Sequence, residues 1–151
     1  MPPTLQKLRQ SVLLHAPAGD VYDALLDATT LSRIFGRPVQ ASNAVGGAFR
    51  FFDLIHGANV ELERGRRIVQ SFRYALPGWP MEHTSKVTIQ LRTVPDGTRV
   101  ILDQSAIPNG CAETVVEHWH DHVWPGLKAI LEHRAAATRL PRFSIGRKIV
   151  R

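Results

Sequence analysis

The chain has 151 residues, of which 44% are hydrophobic and 21% charged, with one cysteine and a formal net charge of +6. This length suits one domain with its own core, and a single cysteine excludes an internal disulfide. No stretch approaches the ~18 apolar residues of a membrane-spanning helix. The first ten residues also lack the apolar run of a secretory signal, so we expect a cytoplasmic protein.

The basic excess is concentrated at the C-terminal end. The residues after Ala137 include five arginines and lysines and no acid, and the 14 basic residues that remain nearly balance the 13 acidic ones. Domains that bind nucleic acid normally carry a basic patch on the folded body, so this distribution argues against a nucleic-acid partner. We divide the chain into one domain at residues 1–137 and a basic tail at residues 138–151.

The predicted elements begin with a strand at residues 8–15, followed by two short helices at residues 18–27 and 29–35. Apolar side chains at three- and four-residue spacing predict the first helix. Gly36 and Pro38 are typical of a helix end and predict where the second helix stops.

The middle of the chain has the short connections of an antiparallel meander. The turns are predicted at Gly46-Gly47, His56-Gly57, Arg64-Gly65 and Asp96-Gly97. Together with a Pro- and Gly-marked loop at residues 77–80, they separate six further strands, at residues 39–42, 48–54, 58–63, 66–74, 85–94 and 98–107.

A long amphipathic helix follows the strands. Thr114 and Glu117 match a capping box, which places the helix start near Val115. Pro125 removes one backbone hydrogen bond, so we predict a kink at residues 121–125. The side chains predicted to face the sheet lie on one stripe: Val116, Trp119, Val123, Leu127 and Ile130.

These elements predict an α+β protein with a helix-grip arrangement. A curved antiparallel sheet of about six or seven strands would wrap around a long, kinked C-terminal helix, with two short helices after the first strand. A sheet that closes on one helix in this way tends to enclose a cavity.

Alternation along the strands predicts which side chains line that cavity. Most of the inward positions are apolar, but Gln70 and Gln104 share the same faces. A buried amide without a partner costs roughly 1–3 kcal/mol, so each amide must bond a neighbouring polar group, water or a ligand. The apolar inward positions are Phe49, Phe51, Val60, Leu62, Ile68, Phe72, Val87, Ile89, Leu91, Val100 and Leu102.

The helix also contains three histidines at alternating positions. On a helical wheel His118 and His122 lie together on the outer face, whereas His120 lies nearer the core stripe. The three cannot reach one ion, and a metal site usually needs three or four ligands, so we predict no metal. His120, next to Trp119, is expected to border the cavity, either as a wall residue or as a group that bonds a ligand or shuttles a proton.

No motif specifies a reaction or a cofactor. Gly46-Gly47 lacks the residues of a phosphate loop and the spacing of a dinucleotide fingerprint, and no serine lies in a nucleophile elbow. Glu61 and Asp103 are predicted to point outwards, so the cavity has no pair of carboxylates for acid–base chemistry. We therefore predict no cofactor and treat an enzyme as the less favoured alternative.

Short motifs occur in a fixed order between Val12 and Leu131. They are Val21-Tyr22, Ala24-Leu25, Gly46-Gly47 with Phe49, Glu61-Leu62, Arg67-Ile68-Val69, Phe72-Arg73, Trp79-Pro80 with His83, Thr98, Ile107-Pro108, Trp119 and Gly126-Leu127-Lys128. In this order they resemble the START-like (helix-grip, SRPBCC) superfamily, and within it the heat-shock-protein ATPase activator homologues.

The resemblance implies an antiparallel sheet that grips a C-terminal helix around a cavity. It also implies varied small apolar ligands, with a minority of members being cyclases or aromatases. Phe72 stands where the family often has tryptophan, which should reshape the cavity. The 151 residues have no counterpart of the separate N-terminal domain of the eukaryotic co-chaperone, so chaperone activation is not implied.

Our leading hypothesis is a module that binds a small apolar molecule, such as a lipid or a polyketide-like compound, between sheet and helix. One alternative is an enzyme of the cyclase or hydrolase kind with His120 as base. Another is a chaperone-interacting or stress-related protein that binds through its outer surface; sheet edges and the tail also leave a homodimer open. The predicted ligand site comprises Phe51, Gln70, Phe72, Gln104, Trp119, His120 and Val123.

Overall fold

The computed structural model describes residues 5–134, so the predicted tail at residues 138–151 and the domain limit at residue 137 lie outside the described residues. Seven strands form one antiparallel sheet in the order β1-β7-β6-β5-β4-β3-β2. In this part of the chain every helix is too short or too polar to cross a membrane. The strands are β1 (Leu5–Leu14), β2 (Val39–Gln40), β3 (Ala48–Phe51), β4 (Ile55–Glu63), β5 (Arg67–Tyr74), β6 (Ser85–Val94) and β7 (Gly97–Pro108).

Two short helices, α1 (Ala18–Leu25) and α2 (Ala28–Phe35), follow the first strand. The long C-terminal helix begins with α3 (Ala112–Glu117), continues through a π-helical segment (His118–Val123) and runs on as α-helix through residues 124–134. The predicted α+β helix-grip arrangement is therefore confirmed, with the core between the sheet and this helix.

The predicted turn at His56-Gly57 is wrong, because both residues lie within β4. The chain instead turns after β3, where Phe52 adopts a left-handed φ of 52°. Gly57 is a glycine for a packing reason: a Cβ there would collide with the Ser71 carbonyl and the Phe49 ring. The residue therefore marks a close approach of the chain rather than a change of direction.

A β-bulge corrects the predicted inward face of β4. Asn59 pairs with Gln70 and Glu61 pairs with Val69, so Val60 is an extra residue in the ladder. Such an insertion shifts the alternation by one position. Val60 consequently points outwards with 51% of its surface exposed, and Asn59 is buried.

The C-terminal helix starts earlier than the capping box predicted. Its N-cap is Cys111, which makes no side-chain cap hydrogen bond, and Val115 rather than Val116 is buried. A π-helical segment at residues 118–123 overlaps the stretch in which Pro125 predicted a kink. There the Trp124 N–H donates to the Trp119 carbonyl, five residues back, and the next residue, Pro125, has no N–H to donate.

Candidate functional site

The interior between sheet and helix contains an enclosed cavity of about 20 Å³, which is room for about one water molecule. Five of the predicted site residues line it: Phe51, Gln70, Phe72, Trp119 and Val123. Ligand pockets usually measure roughly 300–1,000 Å³. The side chains therefore nearly fill the predicted cavity.

Gln104 lies behind this cavity wall in a chain of hydrogen bonds. Its Oε1 accepts from Trp119 Nε1 at 2.8 Å, and its Nε2 donates to Ser85 Oγ at 2.9 Å. Ser85 Oγ in turn donates to the Phe72 carbonyl at 3.1 Å. All four groups are buried, so this amide is satisfied by its neighbours.

Gln70 is satisfied in the same way at the other end of the interior. Its Nε2 donates to Asn59 Oδ1 at 2.9 Å. Asn59 Nδ2 then donates to the carbonyls of Ser42 and Ala44, at 2.8 and 3.1 Å. The side-chain amides of Gln70 and Gln104 therefore both bond polar groups of the protein itself.

His118 occupies the position that we had predicted for His120. Only 6% of His118 is exposed, and its ring stacks on Phe35 with centroids 5.4 Å apart and an interplanar angle of 14°. Burial, with a smaller effect of nearby His122, lowers the pKa of His118 to about 3, so the ring is neutral at physiological pH. Four further aromatic rings surround it: Phe51, Phe72, Tyr74 and Trp119.

His120 lies outside the cavity, so its predicted place in the wall is wrong. Its side chain is 75% exposed, and Nδ1 lies 2.7 Å from Asp121 Oδ1. The π-helical segment explains the error. On a uniform α-helix Val115 and His118 would point about 120° and 180° away from Leu127, yet all three are buried. A base at His120 consequently has no access to the interior.

His118 and Tyr74 share an unusual feature. His118 Nε2 and Tyr74 Oη are both buried without a hydrogen-bond partner, and their rings lie 6.2 Å apart at 88°. Burial raises the pKa of Tyr74, and the Gln104 amide, near the hydroxyl but outside hydrogen-bond geometry, opposes part of that shift. The phenol therefore stays protonated.

Both residues also line an open groove of about 290 Å³ between the end of α2 and the start of the C-terminal helix. We call it the Phe35 groove. Phe35 stands between the groove and the interior: it lines the groove, stacks on His118 and meets Phe51 edge to face at 5.4 Å. The groove is therefore separated from the enclosed cavity by side chains alone.

The outer rim of the Phe35 groove carries Arg37 and Phe52. The Arg37 guanidinium lies 4.0 Å from the centroid of the Phe52 ring. A left-handed φ is strained for a residue with a side chain, by roughly 1–3 kcal/mol. The backbone of Phe52 thus holds a strained conformation at the mouth of the groove.

Sequence reasoning missed Phe35, Asn59, Tyr74 and His118. Tyr74 was within reach, because it continues the alternation of Gln70 and Phe72 in a predicted strand. The bulge in β4 breaks the strand alternation that would have predicted Asn59 as buried. The π-helical segment breaks the helical repeat in the same way for His118. Among residues 5–134, no three histidine, cysteine, aspartate or glutamate side chains are grouped in a way that could hold a metal ion.

Comparison with known proteins agrees with this architecture. Residues 15–132 match the family described as "Activator of Hsp90 ATPase homolog 1-like protein". The chain belongs to this family. It lies within the SRPBCC/START-like superfamily, so the resemblance carried by the sequence motifs is confirmed.

Three members of this family or its fold are informative. The activator of 90 kDa heat shock protein ATPase homolog 2 from Mus musculus is 32% identical over 88 residues, which is 58% of this chain and 26% of that protein. An HSP90 activator from Plasmodium falciparum is 24% identical with a TM-score of 0.73 over 85% of this chain and 96% of that one. The Aha1 dimer from Colwellia psychrerythraea is 16% identical, with a TM-score of 0.67 over 84% of this chain and 94% of that one.

These likenesses differ in what they show. At 24% and 16% identity the two structures show a common fold. The matched part of the mouse activator is about a quarter of its length. The family and the fold are therefore established. Activation of Hsp90 and dimer formation are properties named for those relatives.

Proposed function

We propose that this protein binds a small, mostly apolar molecule in the Phe35 groove and the interior behind it. The observation that carries the proposal is the pair of buried polar atoms without partners, His118 Nε2 and Tyr74 Oη. Native proteins satisfy nearly all such groups, and each one left unpaired costs roughly 1–3 kcal/mol. A ligand that bonds them would regain that free energy on binding.

The surroundings of the pair support an apolar ligand. A groove of about 290 Å³ lies near the lower limit of small-molecule pockets, and aromatic rings form much of its wall. Phe35 is only half-buried and is followed by Gly36 in a left-handed conformation, which ends α2. A displacement of Phe35 would join the groove to the enclosed cavity and make room for a longer molecule.

The interior residues would then extend the binding surface. Phe51, Phe72, Trp119 and Val123 would supply apolar contacts, and Gln70 would border the ligand. Gln104 would act indirectly, because it holds the Trp119 ring in place through the 2.8 Å hydrogen bond.

Native mass spectrometry of the gently purified protein, followed by organic extraction, tests the proposal. We expect a stoichiometric small molecule, or binding from a panel of apolar compounds. Phe51→Leu should weaken binding roughly fivefold, because it removes an aromatic contact worth about 1 kcal/mol. Ile107→Val is the matched control, since Ile107 is fully buried but lines neither the cavity nor the groove.

Two results would contradict the proposal. One is an empty protein that binds no compound of the panel. The other is a ligand whose affinity is unchanged both by Phe51→Leu in the interior and by Phe52→Leu in the groove, since such a ligand sits elsewhere on the molecule.

Family membership favours a second candidate, an interaction with an Hsp90-type chaperone. A pull-down with purified Hsp90 and a measurement of its ATPase rate would test it. Stimulated ATPase activity would support the chaperone role, whereas no complex at micromolar concentrations of both proteins would reject it. This result and the ligand measurement can each succeed or fail without the other.

A further inference from the structure

Resting on the proposed function, we infer the chemical class of the ligand: a planar aromatic acid. One uncharged oxygen of this molecule contacts the His118 and Tyr74 pair, and its carboxylate faces Arg37 at the rim of the Phe35 groove. Three independent features of the groove support this assignment: the ring faces of its walls, the two unpaired polar atoms and the cation at its mouth.

The walls favour a flat molecule. Phe35 stacks nearly parallel on the His118 ring, and Phe52 meets Phe35 at 5.7 Å and 69°. Aromatic rings attract each other in such offset and edge-to-face arrangements. A ligand ring between Phe35, Phe52 and Tyr74 would continue this packing, whereas a bulky aliphatic ring would not match the flat faces.

The buried pair, which a ligand would reach by displacing Phe35, favours an uncharged oxygen. Tyr74 keeps its proton and His118 is neutral, so the pair offers hydrogen bonds but no positive charge. Burying a carboxylate beside them would cost far more than burying a hydroxyl or carbonyl oxygen. A phenolic hydroxyl suits the site, because it can donate to one of the two atoms and accept from the other.

The rim favours a negative charge at the opposite end of the ligand. Arg37 makes no ion pair with a carboxylate among the described residues, and its guanidinium is placed over the Phe52 ring. Phe52, the residue under the guanidinium, has a left-handed φ of 52°, and backbone strain of this kind concentrates at binding sites. A guanidinium fork recognises a carboxylate through two parallel hydrogen bonds.

Glu117 sets the orientation of the acid. Its carboxylate lines the same groove, on the helix side, together with His122. Repulsion from Glu117 would turn the ligand carboxylate toward α2 and Arg37. This arrangement also predicts that Glu117→Gln strengthens the binding of an acid without changing that of a neutral analogue.

A matched set of probes tests the assignment. The set consists of 4-hydroxycinnamate, its methyl ester, which lacks the charge, and cinnamate, which lacks the hydroxyl. Titration calorimetry at pH 7.5 should give the highest affinity for 4-hydroxycinnamate. Removing either group should weaken binding roughly five- to tenfold, as expected for the loss of one charge-assisted or buried hydrogen bond.

Two variants connect each group of the probe to its residue. Arg37→Gln should weaken binding of the acid but not of the ester. Arg33→Gln, in the last turn of α2, should change neither, since Arg33 does not line the groove. Tyr74→Phe should remove the preference for the hydroxyl. Tyr22→Phe is its control, because Tyr22 is buried away from the groove and the cavity.

The outcomes separate this inference from the proposed function. If the ester binds as tightly as the acid and Arg37→Gln has no effect, the acid assignment is wrong while the apolar site stands. If none of the three probes binds, the aromatic-acid inference is overturned. The native mass spectrum then decides whether the proposed function stands.

Discussion

Two sets of buried polar atoms lie in the same apolar core, and they differ in one respect. In the closed cluster, formed by Ser85, Gln104 and Trp119, every side chain has a hydrogen-bond partner. In the open pair, formed by His118 and Tyr74, a ring nitrogen and a hydroxyl have none. His118 and Trp119 are neighbours in the chain with rings 4.9 Å apart, so the contrast arises within one turn of one helix.

Under the proposed function, the contrast separates polar groups that maintain the fold from polar groups that would bond a ligand. The closed cluster ties β6 and β7 to the helix and leaves nothing for another molecule to bond. The open pair lies at the Phe35 groove and costs the folded protein free energy while it is unpaired. We therefore expect substitutions in the two sets to change stability in opposite directions.

The largest effect is expected from breaking the closed cluster. Gln104→Leu leaves Trp119 Nε1 buried without an acceptor and removes the Nε2 group that donates to Ser85 Oγ, so the free energy of unfolding should fall by about 2–3 kcal/mol. Urea denaturation measures this change. Gln90→Leu on the neighbouring strand is the control, because Gln90 is only half-buried; a similar loss there would show that the closed cluster has no special role.

A smaller effect follows from the pKa of His118. Because the folded-state value of about 3 lies below the ordinary 6.5, the unfolded chain takes up a proton first as the pH falls. Stability is therefore lost on acidification, by about 2 kcal/mol between pH 7 and pH 5. Asp27 and Glu132 also have lowered pKa values, but their protonation reduces stability mainly below pH 5.

Urea denaturation at pH 7 and pH 5 checks the sign and size of this effect. The difference should shrink by about 2 kcal/mol in His118→Phe, and it should persist in His120→Phe, where an exposed ring is replaced. An equal pH dependence in all three proteins would mean that His118 titrates normally in the folded state.

The smallest effect has the opposite sign. Tyr74→Phe removes a buried hydroxyl that has no partner, so it should raise the free energy of unfolding by about 1 kcal/mol. Thermal denaturation should show the increase for Tyr74→Phe and not for Tyr22→Phe. A destabilised Tyr74→Phe protein would show that the hydroxyl has a hydrogen-bond partner, and the contrast with the closed cluster would then be lost.

The closed cluster is also the part of the interior that the sequence predicts well. Strict alternation places Gln104 with Val100 and Leu102, and Gln70 with Ile68 and Phe72, and all of these side chains are buried. Alternation works here because the register of β5, β6 and β7 runs without interruption along these residues.

Within the open pair, Tyr74 follows the alternation of β5, whereas His118 escapes prediction because its position depends on irregular backbone. A uniform wheel assumes 100° for each residue, and the π-helical segment breaks that assumption at His118. The bulge in β4 has the same consequence for Asn59 and Val60, since one additional residue exchanges the two faces of a strand. Such insertions are stabilised by packing across the whole fold, so the local periodicity of the sequence does not predict them.

The π-helical segment divides the C-terminal helix into two parts. Leu127 and Leu131 in the second part are buried in the core, while Thr114, Glu117 and His118, before and at the start of the segment, line the Phe35 groove. Losing one residue between His118 and Val123 would restore the α-helical repeat and leave Val115 and His118 about 20° and 80° from Leu127 on the helical wheel. In evolutionary terms the segment is equivalent to one inserted residue, which a single in-frame codon deletion would remove while both buried faces stayed in place.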